Sequence, residues 1–184
     1  MVTTDGHFAI PNLEVGRYEI QVTTDHYQDY TGSIAVTSEP TTLEVTLQTR
    51  YSEDELDLFA RLVYAEAAGE PRVGQIAVAA SVLNRVTSPK YPNTLQEVIM
   101  EKVSVNGVDY YQYSPVLDGR IWELDPVNQR EAYMASLEVV YAALGGEDPS
   151  QGSTGFYNPS KVRPDSWVTT QQPTVKIGNH QFFL

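Results

Sequence analysis

One carboxylic acid stands out as a potential proton donor. It lies in the run Leu56 to Val86, LDLFARLVYAEAAGEPRVGQIAVAASVLNRV. Read as a helix, Leu56, Phe59, Val63 and Ala67 recur as an apolar stripe. At about 100° per residue, Glu66 falls between Phe59 and Leu62, inside that stripe. Its neighbours Ala65, Ala67, Ala68 and Gly69 are small and leave room for another group to approach. Apolar surroundings disfavour the charged form of a carboxyl and raise its pKa. That is the setting a general acid needs near neutral pH. On this pattern alone the simpler reading is structural, with Glu66 hydrogen-bonded to backbone or paired with an arginine such as Arg85.

The remaining reactive side chains narrow the chemistry. His7, His26 and His180 are far apart and none sits in an H-E-x-x-H context, which argues against a zinc hydrolase. Ser114 lacks a Gly-x-Ser-x-Gly elbow and, standing before Pro115, reads as a turn residue. There is no cysteine, hence no thiolate nucleophile and no disulfide framework. Asp109 and Asp118 are candidate second carboxylates, since most glycosidases use a pair. Asp118-Gly119 also reads as a plain turn. Gln112, Tyr113 and Asn158 are uncharged hydrogen-bonding groups in apolar blocks. Trp167 serves either as a stacking platform or as a lid anchor, and His180 is a further candidate. Arg85 reads as an ion-pair partner rather than a substrate clamp.

These residues need a framework. Ser52-Glu53-Asp54-Glu55 has the form of a capping box and starts the helix that carries Glu66. Gly69-Glu70-Pro71 breaks that helix and opens another, Val73 to Val86, apolar nearly all round and therefore buried. Thr94-Leu95-Gln96-Glu97 is a second capping box, predicting a short helix to about Met100. Val103-Ser104-Val105 and Val108-Asp109-Tyr110 flank Asn106-Gly107, a strong hairpin signal. Asp125-Pro126 is predicted to start a long helix with Tyr133, Leu137, Val140, Tyr141 and Leu144 on its apolar side and Gly145 as its stop. A Gly-rich loop and short strands follow at Phe156-Tyr157-Asn158-Pro159, Val175 to Ile177 and His180 to Leu184. Helices with segregated short strands predict an α+β domain.

The first 48 residues differ in character. His7 to Ile10, Arg17 to Thr23, Tyr30 to Val36 and Thr42 to Leu47 alternate and are rich in Val, Ile, Thr and Tyr, as strands are. Asp5-Gly6, Pro11-Asn12, Val15-Gly16 and Glu39-Pro40 punctuate them as turns. The expected organisation is a small all-β module over 1–48, a linker at Gln48 to Tyr51, and an α+β domain over 52–184. The run DGHFAIPNLEVGRYEIQVTTDHYQDY resembles later strands of carboxypeptidase-regulatory-like or CnaB-like β-sandwich modules. That resemblance implies a partial sandwich acting as spacer or as a contact to wall or partner protein.

Composition sets the outer limits. The chain has 184 residues, 41% of them hydrophobic, enough to bury a core. Its formal net charge of −12 argues against nucleic acid, whose phosphates it would repel. A polymeric partner would instead be held by hydrogen bonds and by stacking, for which 12 tyrosines and two tryptophans are available. The longest mainly apolar run, Ile76 to Leu83, is far short of the roughly 18 residues of a membrane span. The N-terminal residues carry no recognisable signal peptide.

Five ordered blocks then carry a second and more specific resemblance. They are Phe59-Ala60-Arg61-Leu62-Val63-Tyr64-Ala65-Glu66-Ala67 with Gly69-Glu70, Gly74-Gln75 and Val82-Leu83-Asn84-Arg85-Val86; Pro92-Asn93-Thr94; Gln112-Tyr113-Ser114-Pro115-Val116; Tyr157-Asn158-Pro159; and Ile177-Gly178-Asn179-His180. In this order they resemble the SleB/CwlJ-type cell wall hydrolases of spore cortex lysis. The resemblance implies a lysozyme-like domain that cuts peptidoglycan between N-acetylmuramic acid and N-acetylglucosamine in the cell wall or spore. It implies Glu66 as the catalytic acid, commonly of a lytic transglycosylase, with no metal or organic cofactor. Gln112, Tyr113, Ser114, Tyr157, Asn158, Trp167 and His180 become the expected substrate-binding residues. Two departures are visible: Met100 to Tyr111 is longer than usual, and Tyr113 stands where phenylalanine is common. A hydrolytic muramidase, an amidase and a non-catalytic wall-binding protein are the alternatives.

Overall fold

The computed structural model describes residues 7–105 and 107–184. The expected Asp5-Gly6 turn and the Asn106 half of the Asn-Gly turn lie outside the described residues. The chain divides into two compact units, one ending at Ser52 and the other spanning Glu53–Leu184. No helix among the described residues is long and apolar enough to cross a membrane.

In the first unit, β1 (Gly16–Val22) pairs antiparallel with β2 (Tyr30–Val36) in the register Gly16↔Val36 to Val22↔Tyr30. Tyr27 bridges Thr49, and Gln28 N–H donates to the Gln48 carbonyl at 2.8 Å. The expected strands at His7 to Ile10 and Thr42 to Leu47 do not form: both stretches lie outside any ladder. Alternation is only half of a strand, because the backbone groups must also find a partner edge. Leu43, Val45 and Leu47 do keep a period-two burial pattern without such pairing. The described residues therefore make a hairpin and not two packed sheets.

The second unit is built on three long helices, α1 (Glu53–Ala67), α2 (Arg72–Thr87) and α5 (Arg130–Leu144), which pack on one another. Leu56, Phe59, Leu62, Val63 and Ala67 of α1 are buried, as are Ile76 to Leu83 of α2. Short elements connect them: α3 (Leu95–Ile99), β3 (Lys102–Val105), β4 (Val108–Tyr111) and α4 (Ser114–Asp118), with a 3₁₀ turn at Arg120–Trp122. α3 has the expected cap, Thr94 Oγ1 accepting from Glu97 N–H at 3.2 Å.

α5 departs from expectation at its start and in part of its face, and ends at Leu144 with Gly145 as its cap, as expected. It starts at Arg130, because Asp125 Oδ1 accepts from Val127 N–H (2.8 Å) and Asn128 N–H (3.1 Å) and holds a turn there. Its left-handed stop is Gly146, φ 99°, while Gly145 remains in the helical region. The buried stripe is Ser136, Val139, Val140, Ala143 and Leu144, whereas Tyr141 is 45% exposed. Val140 and Leu144 of the expected face are buried and Tyr133 and Leu137 part-buried, so Tyr141 alone falls outside it.

A three-stranded antiparallel sheet closes the unit in the order β5–β7–β6, with β5 Gly155–Tyr157, β6 Pro173–Ile177 and β7 His180–Phe183. Phe182 of β7 is fully buried against Ala67, Ala77 and Val78, with Phe156, Val175 and Ile177 around it. That contact sets the sheet against the end of α1, next to Glu66.

Candidate functional site

Glu66 occupies the last turn of α1 and lines a cavity of about 710 Å³. No donor among the described residues hydrogen-bonds its carboxyl. Burial pushes its pKa up to about 7; Arg120 pulls it back, Asp118 adds to the rise, and Lys161 opposes it. Glu66 is therefore half protonated near neutrality and its carboxyl is free to face a ligand. The postulated Arg85 partner is engaged elsewhere: its guanidinium lies 3.8 Å from Glu101 Oε2 and 3.4 Å from Gln112 Oε1, and it donates to the Thr154 carbonyl.

Other walls come from three directions. Tyr111, Gln112, Tyr113 and Ser114 form one side at the junction of β4 and α4. Tyr113 is 3% exposed, and burial pushes its phenol up to about 12. The Arg85 guanidinium sits 5.2 Å over the Tyr113 ring, and the hydroxyl has no hydrogen-bond partner among the described residues. Ser114 Oγ accepts from Arg120 Nη2 at 3.1 Å, so its hydroxyl serves that arginine.

Phe156, Tyr157, Asn158 and His180 form the facing wall, all from the sheet or the loop after β5. His180 stacks on Phe156 with centroids 4.9 Å apart, and burial lowers its pKa, so it is neutral at pH 7. Asn158 Oδ1 accepts from Ser160 N–H at 2.9 Å, which shapes the loop that carries Lys161. Trp167 is placed outside this wall: it is 63% exposed and meets Phe183 edge-on at 6.1 Å.

Two other acidic residues near Glu66 are already tied to partners. Glu70 accepts from Asn179 N–H (2.8 Å) and Asn179 Nδ2 (2.9 Å), fastening the β6–β7 turn to the corner between α1 and α2. Gly178 in that turn has φ 56°, and a Cβ there would collide with the Glu70 carboxylate. Asp118 is gripped by Arg120, through Nε at 2.8 Å and the backbone N–H at 3.1 Å, which holds its pKa below the usual carboxylate range.

Arg120 and Lys161 were not singled out from the sequence, although both line the cavity. Arg120 also donates to the carbonyl of Ala65, beside Glu66, at 3.4 Å. Arg61 holds the 3₁₀ segment in place, bonding Asp57 at 2.7 Å, donating to the Leu124 carbonyl and lying 5.8 Å over Trp122. The spacing of Asp118 and Arg120, which lets both side chain and backbone of one bind the other, was the available signal.

A second hollow of about 680 Å³ lies along Val86 to Asn93 and Glu97. Its one carboxyl, Glu97, accepts from Thr94 Oγ1 at 2.8 Å within the helix cap, so it offers no free acid.

Comparison with known proteins places this architecture. Residues 69–183 match the sequence profile of a family described as Cell Wall Hydrolase, a span that begins just after Glu66. The spore cortex-lytic enzyme of Halalkalibacterium halodurans is 37% identical over 132 residues, covering 72% of this chain and 35% of that protein. Its counterpart in Bacillus subtilis is 34% identical over 132 residues, covering 72% and 38%. The chain thus spans well under half the length of these relatives. Among solved structures, the catalytic domain of the germination-specific lytic transglycosylase SleB from Bacillus anthracis is 33% identical, with a TM-score of 0.60 over 73% of this chain and 98% of that one. The catalytic domain of Bacillus cereus SleB is 34% identical with a TM-score of 0.57, covering 73% and 92%. With the profile matched over more than half its length and the α+β fold shared with SleB catalytic domains, this chain belongs to the cell wall hydrolase family.

Proposed function

We propose that the chain cleaves peptidoglycan glycan strands between N-acetylmuramic acid and N-acetylglucosamine as a lytic transglycosylase, acting at the cell wall or spore. The observation that carries this reading is Glu66, an unengaged carboxyl with a pKa of about 7 facing a cavity beside two carboxylates that are both tied to partners. The names of the relatives, spore cortex-lytic enzymes and a lytic transglycosylase catalytic domain, support it.

The chemistry follows from one acid. Protonated Glu66 donates to the bridging oxygen as the glycosidic bond breaks, and positive charge develops at the muramic acid anomeric carbon. The Glu66 carboxylate then takes the proton from that sugar's 6-hydroxyl, whose oxygen bonds to the anomeric carbon and closes a 1,6-anhydro ring. Glu66 ends protonated, ready for another cycle, and no water is consumed. Gln112, Asn158 and the neutral His180 supply hydrogen bonds for acetamide and hydroxyl groups, while Tyr157 offers an aromatic face.

A hydrolase would need a second carboxylate, about 5–5.5 Å from the acid for retention or roughly 6.5–9.5 Å for inversion. Of the two candidates, Asp109 is bound by Lys102 and Ser104, and the bonds of Asp118 to Arg120 give it a different task. Mass spectrometry of digested wall is expected to show 1,6-anhydro ends, with Asp118→Asn retaining most activity. Only reducing muramic acid ends, together with an inactive Asp118→Asn enzyme, would replace this mechanism with a two-carboxylate hydrolysis.

A further inference from the structure

The β3–β4 hairpin stands at the edge of the cavity, and among regular elements it packs mainly on α4. Its base is held from below. Gln112 N–H donates to the Glu101 carbonyl at 3.0 Å, and buried Arg85 faces both Glu101 (3.8 Å) and Gln112 Oε1 (3.4 Å). The hairpin is thus anchored at its base.

Its two faces differ in chemistry. The register Lys102↔Tyr111 and Ser104↔Asp109 places those residues together on one face, and Val103, Val108 and Tyr110 on the other. Tyr111 is half-buried and lines the cavity; Tyr110, one residue earlier, is 54% exposed and does not. The face bearing Tyr111 therefore continues the cavity wall outward. It is also pre-arranged: Lys102 Nζ donates to Asp109 Oδ2 at 2.6 Å, and the Ser104 hydroxyl donates to Asp109 Oδ1. The ammonium keeps two further protons and the carboxylate keeps unused lone pairs. Beside an aromatic ring, these groups match the hydroxyls, acetamides and apolar faces of sugars, and their order before binding limits the entropy lost on complex formation.

We propose that the Lys102–Ser104–Asp109–Tyr111 face is an additional saccharide subsite, holding units of the same glycan strand beyond those spanned by the cavity, with Tyr111 at the junction. The inference rests on the glycan-cleaving function proposed above and adds chain-length preference to it. Binding is measured in a Glu66→Gln background, so that cleavage does not intervene, using peptidoglycan glycan oligosaccharides of graded length. Affinity is expected to rise with length until the hairpin is covered. Tyr111→Ser should remove that gain, about tenfold on the long chains, the loss typical of a truncated aromatic anchor. Asp109→Asn, which keeps shape, should remove part of it, and Tyr110→Ser on the opposite face should leave the length profile intact. No gain with length, an unchanged profile in a folded Tyr111→Ser protein, or an equal loss in Tyr110→Ser overturns the subsite. Failure of the active enzyme to release glycan products would instead count against the cleavage chemistry, with the binding comparison still deciding the hairpin.

Discussion

Tyr18, Ile20 and Val22 alternate on β1 as regularly as Leu56, Phe59 and Val63 recur on α1. None of the first group is fully buried, whereas Phe59 and Val63 are sealed at 0% and 1%. The two units obey the same rule of patterning and reach opposite ends. A two-stranded sheet offers one layer, and with the unpaired Leu43, Val45 and Leu47 beside it in the same unit its apolar side chains are covered only in part among the described residues. In the second unit α1, α2, α5 and the sheet supply facing layers, and the same patterning becomes a core. Periodicity selects a face; a second layer turns that face into stability. The contrast also separates chemistry, since every residue lining the Glu66 cavity belongs to the second unit.

The sharpest way to break this division is at Glu66. Glu66→Gln keeps the shape but cannot donate a proton, so wall-lytic activity should fall by about 10²- to 10⁴-fold. The variant should nevertheless be as stable as its parent, or more so. Burial raises the Glu66 pKa in the folded state, so ionisation stabilises the unfolded chain first. Wild-type stability is thereby lost between the ordinary carboxyl value of 4.5 and about 7, and stays lost above. Thermal melts at pH 8 should show Glu66→Gln above wild type, with the gap closing at pH 4. A folded variant that keeps more than a tenth of the activity would shift attention to the first unit.

Packing provides the next comparison. Phe182 is fully buried, so Phe182→Ala should destabilise the second unit by about 3–5 kcal/mol in denaturant titrations. Ile20→Ala, on the half-buried face of β1, should cost under about 1 kcal/mol. Equal costs would mean that the first unit owns a core of its own.

The pH profile is a finer probe. If neutral Glu66 is the acid, kcat/KM should fall about tenfold per unit above pH 7, following its protonated fraction. Arg120 is the largest charge holding that pKa down, and it also neutralises Asp118, which pushes it up. Arg120→Gln should therefore move the alkaline limb to higher pH. A limb that moves down, or does not move, removes Arg120 from the tuning of the acid. The smallest effect concerns the first unit as a whole: a chain beginning near Arg50 should cut soluble glycan fragments at rates within about twofold of the parent. Any greater loss in a folded protein would give that unit a part in the site.

Much of this arrangement was legible from residue order, and the exceptions share a cause. The α1 stripe, the all-apolar α2, the Thr94 cap and the Gly107 turn each declare themselves within a few residues. Glu66 was legible because it interrupts a periodic face. Arg120 and Lys161 interrupt nothing: they sit in polar stretches, and their meaning comes from elements far away in the chain. On α5, Val140 and Leu144 are buried as expected, but the opposing helices select the smaller Val139 and Ala143 over Tyr141. Strands at 7–10 and 42–47 were expected from alternation that lacks a partner edge. Local chemistry writes what a segment prefers, and long-range geometry decides what it touches.

The strand order β5–β7–β6 carries a consequence for how the enzyme comes into being. β7 follows β5 and β6 in sequence yet lies between them, so those two strands belong to one sheet only through it. The same strand brings Phe182 onto Ala67 and His180 into the cavity wall. Without β7 the end of α1 stays wet, and Glu66 loses the burial that raises its pKa. The proposed acid is therefore tuned by a strand more than a hundred residues away from it, and only once that strand has docked.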